Sequence, residues 1–459
     1  MAESLKTEVI IVGAGLTGLT MAFYLKKAGV NFRIIEKADR TGGVIQTISE
    51  KGFVYEAGPN TGVVSNPEMA ELFEDLNGKC NLEIADPNAK RRLIWKNRVW
   101  NALPSGLFSA IGTPLFTWHD KFRILGEPFR AKGTDPNESL ADLVKRRMGQ
   151  SYLDYAVDPF ISGIYAGDPR KLVTKYAMPK LYNLEQEYGS FIKGAMKKAK
   201  LPKDERTKKA SKEVFSAQGG LGKLVDALTE AIGMENILLN VQQAIAQPAE
   251  KGFQIQLTTP EQLISAETTH LVTTCGAYAL HELLPFLNDE EIAPFNELNY
   301  AAVTQVTLGF SKWKGMSLQA FGGLVPGKEK KNILGVLFPS SFFQGRAPKN
   351  GALLSVFMGG TKRPDIAKLD NGEIESLLNK ELPRMLSHRN LSPDLIRIRR
   401  YPKAIAQYDE TTGKRYEMIE KLQEKYPGLI LAGNIRDGIG MADRVKQGRT
   451  IAEELGREG

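Results

Sequence analysis

The sequence is poor in cysteine and histidine. Cys80 and Cys275 are the two cysteines among 459 residues, and they stand far apart. Such a pair builds no disulfide framework, which favours a reducing compartment, and we therefore expect a cytoplasmic protein. The four histidines are scattered without metal-ligand spacing. We therefore expect no metal site, neither zinc nor an iron–sulfur centre.

Long hydrophobic runs and a strong charge bias are also missing. No stretch approaches the roughly 20 apolar residues that a membrane-spanning helix needs, so we expect no membrane-spanning helix. Lys and Arg number 61 against 53 Asp and Glu, a formal charge of +8. This small excess is weak support for nucleic acid, which we do not expect as a partner, and is compatible with an acidic lipid surface or a carboxylate substrate. The length predicts two or three domains.

A glycine-rich turn stands between a strand pattern and a helix pattern near the N-terminus. Residues 7–12 (TEVIIV) are apolar and β-branched, and residues 16–28 are predicted to form a helix that Gly29 ends. Such glycines give a tight turn, close approach of a pyrophosphate, and close packing of helix on strand. The turn has the pattern G-x-G-x-x-G, with glycines at Gly13, Gly15 and Gly18. We therefore predict a dinucleotide site.

An acidic residue and a second glycine pair indicate which dinucleotide is bound. Glu36 ends the second predicted strand, residues 31–36, where its carboxylate can accept hydrogen bonds from ribose hydroxyls and repel a 2′-phosphate. The following run contains Arg40, Gly42 and Gly43, a cation and two bare backbone amides placed for a second part of the pyrophosphate. This pattern favours FAD over NAD or NADP.

The chain offers no second motif for a nicotinamide nucleotide. Electrons would therefore reach the flavin from the substrate and leave to dioxygen or a quinone, which predicts an oxidase or dehydrogenase. Near the C-terminus, a strand at 429–432 would return to the first sheet. Gly440 and Met441 would then turn backbone amides at a helix start toward the isoalloxazine. The FAD-binding domain is thus predicted to be discontinuous.

The middle of the chain divides by pattern. Residues 104–200 are predicted to be mostly helical, and the Lys-rich stretch 193–212 is interpreted as a solvated linker or loop. Residues 301–357 contain several apolar runs separated by turn residues, which predicts an antiparallel sheet.

Several longer motifs resemble one flavoprotein family. The block DPFISGIYAGDP at 158–169, GPNT at 58–61, FSAQGG at 215–220 and AGN at 432–434 are similar to signatures of the protoporphyrinogen oxidase family. That family lies within the amine oxidase and phytoene desaturase superfamily. The resemblance covers essentially the whole chain.

The expected fold is α/β, α+β overall, in three parts. These are a discontinuous Rossmann-like FAD-binding domain, an antiparallel-sheet substrate-binding domain and a helical insertion. The FAD-binding domain is predicted to comprise residues 1–85, 210–290 and 425–459. The substrate-binding domain is predicted to comprise residues 86–104 and 291–424, and the helical insertion residues 105–209.

The resemblance and the glycine motif together imply a set of residues for non-covalent FAD. Tyr401 stands where several relatives have tryptophan. Asn60 is in addition the one candidate catalytic side chain, because the flavin performs the chemistry. The implied FAD-binding residues are Gly13, Ala14, Gly15, Leu16, Thr17, Gly18, Glu36, Lys37, Arg40, Gly42, Gly43, Gly58, Pro59, Asn60, Val241, Tyr401, Gly433, Ile439, Gly440 and Met441.

The resemblance also implies a substrate site. It assigns Arg92 to a substrate propionate, because a guanidinium meets a carboxylate in a bidentate fork. It places one pyrrole ring between Leu324 and Leu337, another against Phe357, and the carbonyl of Gly163 toward the substrate. Without the resemblance, the two leucines and the phenylalanine would be interpreted as strand core, and Arg92 as a solvated charge.

The implied activity is oxidation of protoporphyrinogen IX to protoporphyrin IX by FAD in haem biosynthesis. Coproporphyrinogen III on the same fold is the nearest alternative, and Arg92 favours the dicarboxylate substrate because the coproporphyrinogen-oxidising forms lack this arginine. An amine oxidase or carotenoid desaturase, and a flavin-binding protein without turnover, are further alternatives.

The resemblance bears on partners as well. In this family the helical insertion lies on a membrane, and residues 107–129 are apolar and aromatic enough for shallow insertion. A helical cap over the pocket that never meets lipid is the equal alternative. A homodimer is a further expectation.

Overall fold

The structure, a computed structural model, describes residues 3–202 and 204–458. Its strands are β1 Glu3–Val12, β2 Phe32–Ile35, β3 Thr47–Glu50, β4 Phe53–Glu56, β5 Gly62–Val63, β6 Leu82–Ile84, β7 Arg92–Lys96, β8 Val99–Ala102, β9 Val214–Ala217, β10 Ile237–Leu238, β11 Gln243–Pro248, β12 Phe253–Thr258, β13 Leu263–Thr273, β14 Tyr300–Phe310, β15 Gly322–Leu324, β16 Ile333–Leu337, β17 Ala352–Gly359, β18 Leu395–Ala406 and β19 Leu429–Leu431. Its α-helices are α1 Leu16–Ala28, α2 Pro67–Asp75, α3 Leu107–Gly112, α4 Trp118–Leu125, α5 Leu140–Arg147, α6 Gln150–Tyr152, α7 Asp158–Ile164, α8 Thr174–Ala177, α9 Pro179–Tyr188, α10 Phe191–Lys200, α11 Glu205–Lys208, α12 Gly222–Ile232, α13 Leu280–Leu283, α14 Asp289–Asn296, α15 Pro339–Phe342, α16 Asn371–Met385, α17 Thr412–Lys425 and α18 Met441–Glu458.

The first sheet is the Rossmann-like sheet predicted around the glycine turn. Its order is β10-β2-β1-β13-β12-β11, and β19 also pairs with β13. The pairings of β10, β2, β1, β13 and β19 are parallel, whereas β11 and β12 pair antiparallel. Val9 and Ile11 pack into one core and Ile10 into another, which explains why β1 is continuously apolar. The α/β class is confirmed, and both ends of the chain contribute to this sheet.

The second sheet has the order β18-β14-β17-β16-β15-β7-β8. Its pairings are antiparallel except between β7 and β15, which are parallel. This confirms the predicted antiparallel sheet, with one parallel pair that sequence reasoning did not foresee. On one face, Val306, Val336 and Val356 are fully buried in a core that α16 covers. The opposite face, which carries the half-buried Leu324, Leu337 and Phe357, is available for a site.

Helices α3 to α11 all lie between β8 and β9, where the helical insertion was predicted. No helix in the described ranges combines the length and the apolar character needed to cross a bilayer. The domain boundaries themselves stay a prediction.

The interpretation of residues 193–212 as a linker or loop is wrong over much of its length. Residues up to Lys200 belong to α10, which Ser190 caps by accepting a hydrogen bond from the Lys193 N–H. A Cβ at Gly194 would lie 2.8 Å from Leu184, so α10 packs closely on α9. The prediction failed because it relied on the lysine content of the stretch. Lysine is a good helix former, and this stretch forms an amphipathic helix.

A buried polar cluster connects the second sheet to β4 and β9, which belong to the smaller sheets β3-β4 and β5-β9-β6. The Gln305 side chain on β14 donates to the Glu56 carbonyl and accepts from the Gly58 N–H, at 2.9 and 3.1 Å. Arg346 donates to the Glu56 carboxylate at 3.1 Å and to the Ser216 hydroxyl at 2.9 Å. Burial raises the pKa of Glu56, while Thr47, a backbone N–H and Arg346 oppose the rise. These contacts fix the 56–60 segment against the second sheet.

Candidate functional site

The glycine turn between β1 and α1 is open where a phosphate group is predicted. Gly13 has a φ of 111°, and a Cβ there would lie 2.7 Å from the Thr274 hydroxyl. A Cβ at Gly18 would lie 2.1 Å from the Gly13 carbonyl oxygen, so this glycine permits the close helix packing. A Cβ at Gly15, in contrast, would meet no protein atom within 4 Å. The turn thus packs closely on the protein at Gly13 and Gly18, and the space beside its central glycine, Gly15, contains no protein atom.

The N-terminus of α1 faces that space without a side-chain cap. Gly15 is the N-cap residue, and the first turn contains no acidic residue. Leu16 and Thr17 begin the helix with buried side chains. The uncapped N–H groups and the helix dipole suit a diphosphate. At the other end, Gly29 adopts a φ of 75° and ends the helix, as predicted.

The R-x-G-G segment packs directly on the glycine turn. The Gly42 N–H donates to the Ala14 carbonyl at 2.8 Å, and a Cβ at Gly43 would lie 3.3 Å from Gly15. Arg40 donates to the carbonyls of Thr41, Gly43 and Ile45. The guanidinium therefore shapes the loop. Its contact with a cofactor stays a prediction.

Glu36 lies at the carboxyl end of β2, beside the same turn. Its carboxylate accepts from the Ala14 N–H at 2.7 Å and from the Ala38 N–H at 2.9 Å. The buried Val241 donates its N–H to the Glu36 carbonyl at 2.9 Å, which places Val241 next to the predicted ribose position. Lys37 follows Glu36 and is exposed.

The C-terminal segment returns to the first sheet through β19, as predicted. Gly433 has a φ of 83°, and its N–H donates to the Gln447 side chain at 2.8 Å. Ile439 is half-buried between two cores, and Met441 begins α18. The Gly440 N–H donates to the Asp443 carboxylate at 3.1 Å. Asp443 thus caps the start of α18, and the orientation of the Gly440 and Met441 amides toward the isoalloxazine stays a prediction.

Asp437, between Gly433 and Gly440, has a role that sequence reasoning missed. Its carboxylate accepts from the Gln447 side chain at 2.7 Å and from Arg436 at 3.1 Å. Its φ of 64° is a conformation that aspartate tolerates better than most residues. The acid therefore holds the loop in place.

The 58–60 segment lies on the open face of the second sheet. Gly58 has a φ of 138°, and a Cβ there would lie 2.0 Å from the Val44 carbonyl oxygen. Pro59 is half-buried, and Asn60 is 7% exposed. The Asn60 side chain donates to the Gly58 carbonyl at 3.2 Å and accepts from the Ser355 hydroxyl at 2.7 Å. Both ends of the amide are engaged, so a catalytic role for Asn60 stays a prediction.

The strand register brings the predicted substrate residues together. Leu324, Gly335 and Phe357 are directly opposite one another across β15, β16 and β17. Leu337 is paired with Ser355 two residues along, so its side chain is on the same face. In contrast to the valines of the opposite face, Leu324, Leu337 and Phe357 are half-buried. Three separate segments thus form one partly open apolar surface.

Gly163 and Arg92 border this surface. A Cβ at the exposed Gly163 would lie 2.5 Å from Leu324, so α7 rests on the leucine through its glycine. Arg92 begins β7, whose next inward residue Ile94 packs with Leu324 in the core of the insertion. The exposed guanidinium lies 5.9 Å from the Phe321 ring. Among the described residues it has no ion-pair partner.

Gln305, Arg399 and Tyr401 are on the same face. Gln305 is opposite both Phe357 and Arg399, and Val303 is opposite Tyr401. Tyr401 was predicted from the family resemblance. Gln305 and Arg399 were not, because their importance depends on pairings between segments far apart in the chain, for which one sequence carries no local signal.

The fold and the open turn define an FAD-binding protein. The space at Gly15, the uncapped helix start and the acid at the end of β2 fit the dinucleotide. The sequence matches the family model of flavin containing amine oxidoreductases over residues 16–456, and the chain belongs to this family. FAD is its cofactor, and the protein is an FAD-dependent oxidase.

Relatives extend over almost the whole chain. Protoporphyrinogen oxidase 2 of Arabidopsis thaliana is 29% identical over 97% of this chain and 93% of its own length. The chloroplastic protoporphyrinogen oxidase of Nicotiana tabacum is 30% identical over 98% and 85%. Coproporphyrinogen III oxidase of Bacillus subtilis is 24% identical over 98% of each chain. The resemblance noted in the motifs is confirmed.

Solved structures agree on the fold. A candidate protoporphyrinogen oxidase from Exiguobacterium sp. superposes with a TM-score of 0.82 at 22% identity, covering 100% of both chains. Putrescine oxidase reaches a TM-score of 0.71 at 14% identity, covering 99% of this chain and 100% of its own. At these identities the likeness shows the fold alone.

Proposed function

We propose that this oxidase converts a porphyrinogen into the corresponding porphyrin, with protoporphyrinogen IX as its substrate in haem biosynthesis. The observation that carries the proposal is the half-buried apolar surface of Leu324, Leu337 and Phe357, with Gly163 above it and Arg92 exposed at its border. A flat apolar macrocycle with carboxylates on one side suits such a surface. The names of the near full-length relatives support this substrate class.

The chain's own residues would bind and orient the macrocycle. The glycine turn around Gly15 and the Glu36 carboxylate would hold FAD, which would supply the two-electron oxidation of each methylene bridge, with the proton released from a pyrrole N–H. Three such two-electron steps remove six hydrogens, and three dioxygen molecules would become three hydrogen peroxide molecules. The apolar surface excludes water, and Arg92 fixes the register of the ring by holding a propionate.

Coproporphyrinogen III is the second candidate, supported by the relatives that bear this activity in their names. The two substrates differ in where carboxylates lie around the ring. A single arginine at one border favours the substrate with propionates on one side. An amine, a polyene or no substrate at all would be compatible with the fold but leaves the position of Arg92 unexplained.

The test offers both porphyrinogens to the FAD-loaded enzyme in aerobic buffer and follows porphyrin fluorescence and oxygen uptake. We expect faster turnover of protoporphyrinogen. Arg92→Leu should raise its KM about 10-fold or more with a smaller effect on kcat, because a charge-assisted hydrogen bond to the substrate is lost. Arg91→Leu is the matched control, since Arg91 is its exposed neighbour.

The outcomes separate the candidates. Preference for coproporphyrinogen would transfer the function to that substrate. Turnover of neither, with the flavin remaining oxidised under anaerobic conditions, would overturn the porphyrinogen proposal, and amines and polyenes would be tested next. Equal effects of the two arginine variants would remove Arg92 from the substrate site.

We also propose that the helical insertion rests on the cytoplasmic face of a membrane. Phe108 and Phe129 are 90% and 86% exposed. A groove of about 540 Å³ beside α4 is lined by Lys96, Arg123, Lys145 and Lys328 against Asp120 and Asp154, and this excess of positive charge would favour anionic lipid. Vesicle binding, argued below, tests this proposal. A homodimer stays a prediction that analytical ultracentrifugation can check.

A further inference from the structure

A β-bulge in β16 changes which of its residues face the open side of the second sheet. Ile333 and Val336 both pack in the core that α16 covers. Strict alternation would put these two residues on opposite faces of the sheet. The pairing with β17 shifts between Ile333 and Gly335, so Leu334 is the extra residue of the bulge. Leu334 and Gly335 therefore both lie on the open face, where Leu334 packs against the same small cluster as Phe357.

Gly335 consequently occupies the middle of the apolar surface. It is directly opposite Leu324 on one neighbouring strand and Phe357 on the other. Its backbone is not in the left-handed region, so the conformation alone does not require glycine. A Cβ at this buried position would lie 3.0 Å from Leu324 Cδ2 and 3.0 Å from the Gly323 carbonyl oxygen. The space that a side chain would need is thus taken by a methyl group of Leu324.

The same methyl group of Leu324 lies against a second glycine. A Cβ at Gly163 on α7 would lie 2.5 Å from Leu324 Cδ2. Two glycines from separate elements therefore contact one leucine methyl. A methyl group added at Gly335 would displace Leu324, because a well-packed site accommodates extra atoms by moving side chains off their rotamers. Since α7 lies against the leucine on the other side, the displacement is toward the open surface.

We infer that Gly335 is a positioning residue for the substrate. By lacking a side chain it lets Leu324 lie against α7, and the surface on which the ring is proposed to bind stays open. The inference rests on the proposed porphyrinogen function and assigns to β16 a role that acts through Leu324. The cofactor cradle belongs to the first sheet, so a change at Gly335 affects binding of the macrocycle and not of FAD.

The experiment compares Gly335→Ala with Gly309→Ala in the FAD-loaded enzyme. Gly309 is a buried glycine on β14 of the same sheet, and a Cβ there would lie 3.0 Å from Phe53 and from Leu395, so the crowding is similar. We expect Gly335→Ala to raise the KM for protoporphyrinogen about 10-fold or more with a smaller change in kcat. Gly309→Ala should leave both values close to those of the wild type.

A double-mutant cycle tests whether Gly335 acts through Leu324. Leu324→Ala should raise the KM by itself, because part of the apolar surface is lost. In that background Gly335→Ala should raise the KM by less than about 3-fold, since no Cδ2 methyl remains to be displaced. A merely structural effect of the added methyl would multiply the KM by the same factor in both backgrounds.

The melting temperature and the FAD affinity of each variant check that the fold persists. If Gly335→Ala does not fold, Leu324→Ile replaces it, because isoleucine keeps the volume but has no Cδ2 methyl to place against the two glycines. It should raise the KM in the same way, whereas Leu353→Ile, a buried leucine outside the apolar surface, should not.

The outcomes distinguish this inference from the proposed function. Equal KM values for Gly335→Ala and Gly309→Ala, or the same multiplication of KM in both Leu324 backgrounds, would overturn the inference and leave the porphyrinogen function intact. If Leu324→Ile is used, a KM equal to that of Leu353→Ile has the same meaning. A wild-type protein that turned over neither porphyrinogen would overturn the proposed function and the inference with it.

Discussion

The space next to Gly15 is empty of protein atoms, whereas the backbone packs tightly against Gly18, three residues later. A methyl group at Gly15 would meet no protein atom within 4 Å, whereas one at Gly18 would lie 2.1 Å from a backbone oxygen. Gly15 also has an extended backbone conformation that alanine adopts without strain. Close packing within the fold therefore requires glycine at Gly18, whereas we predict that cofactor binding requires it at Gly15.

This difference predicts opposite effects of the same substitution. Gly15→Ala should leave the melting temperature of the apoprotein unchanged and weaken FAD binding about 10-fold or more, because the methyl group fills space that the diphosphate needs. Gly18→Ala should lower the apoprotein stability by about 1–3 kcal/mol, because helix and strand must separate. Calorimetry of the apoproteins and FAD titration measure both quantities. Undiminished FAD affinity in Gly15→Ala would place the diphosphate elsewhere.

Among the elements, α7 has the clearest link to the proposed reaction. Asp158, at its start, forms an ion pair with Lys362 from the loop after β17, and its other oxygen accepts from the Gly327 N–H at 2.8 Å. Lys362 also contacts the Ser162 hydroxyl at 3.3 Å. Beyond the helix, the Thr361 N–H donates to the Ala166 carbonyl at 2.7 Å. The helix that brings Gly163 over Leu324 is thus held at both ends.

We expect Lys362→Met to release the start of α7. The amide hydrogens of α7 should exchange faster, and the KM for the porphyrinogen should rise about 3- to 10-fold with a smaller change in kcat, because the surface that orients the ring loosens. Lys362→Arg should restore both values in large part. Mass-spectrometric hydrogen exchange and steady-state kinetics make the comparison.

Lys79→Met is the matched control, since it removes a lysine that pairs with Glu230 at 2.7 Å on an exposed surface. It should change neither the exchange of α7 nor the KM. If Lys362→Met left the exchange of α7 at the wild-type rate, the ion pair would not position the helix.

Local signals were sufficient for some elements and not for others. The run of β1, the glycine turn and the Gly29 stop predicted the first β-α-β unit because each signal acts within a few residues. In α10 the lysine content suggested a loop, although the spacing of its apolar residues was helical. The hydrogen-bonded pairs Gln305–Gly58 and Ser355–Asn60 are separated by 247 and 295 positions in the sequence. Tertiary contacts of that range give no local sequence signal, so the substrate-binding residues could be predicted only from the family resemblance.

In the whole molecule, the second sheet has two different faces. One is closed by α16 into a dry core, and the other is opposed by the 56–60 segment and by α7. The cofactor cradle and the apolar surface therefore belong to different sheets, and the buried polar cluster of Glu56, Gln305 and Arg346 fixes the 56–60 segment to the second sheet. The insertion adds a third part whose outer helices expose aromatic side chains.

The outward side of α4 is the surface that would contact lipid under the membrane proposal. Trp118, Phe122 and Leu125 are 62%, 66% and 70% exposed, and their spacing aligns them along one side of the helix. We expect the protein to bind vesicles of phosphatidylglycerol and phosphatidylcholine, and the double variant Phe122→Ser, Leu125→Ser to bind about 10-fold more weakly, because each buried CH₂ contributes about 0.8 kcal/mol. Vesicle flotation with purified FAD-loaded protein measures the bound fraction.

The matched control is Met234→Ser with Leu263→Ser, two side chains that are 52% and 64% exposed but lie outside the insertion. It removes a similar apolar area from another surface and should bind vesicles like the wild type. Replacing phosphatidylglycerol by phosphatidylcholine alone should weaken binding of all three proteins, because the lysines of α10 and the groove beside α4 lose their anionic partner. If the wild-type protein did not float with vesicles, or if both double variants lost the same amount of binding, α4 would not be a membrane contact. The helical insertion would then be a cap over the substrate surface.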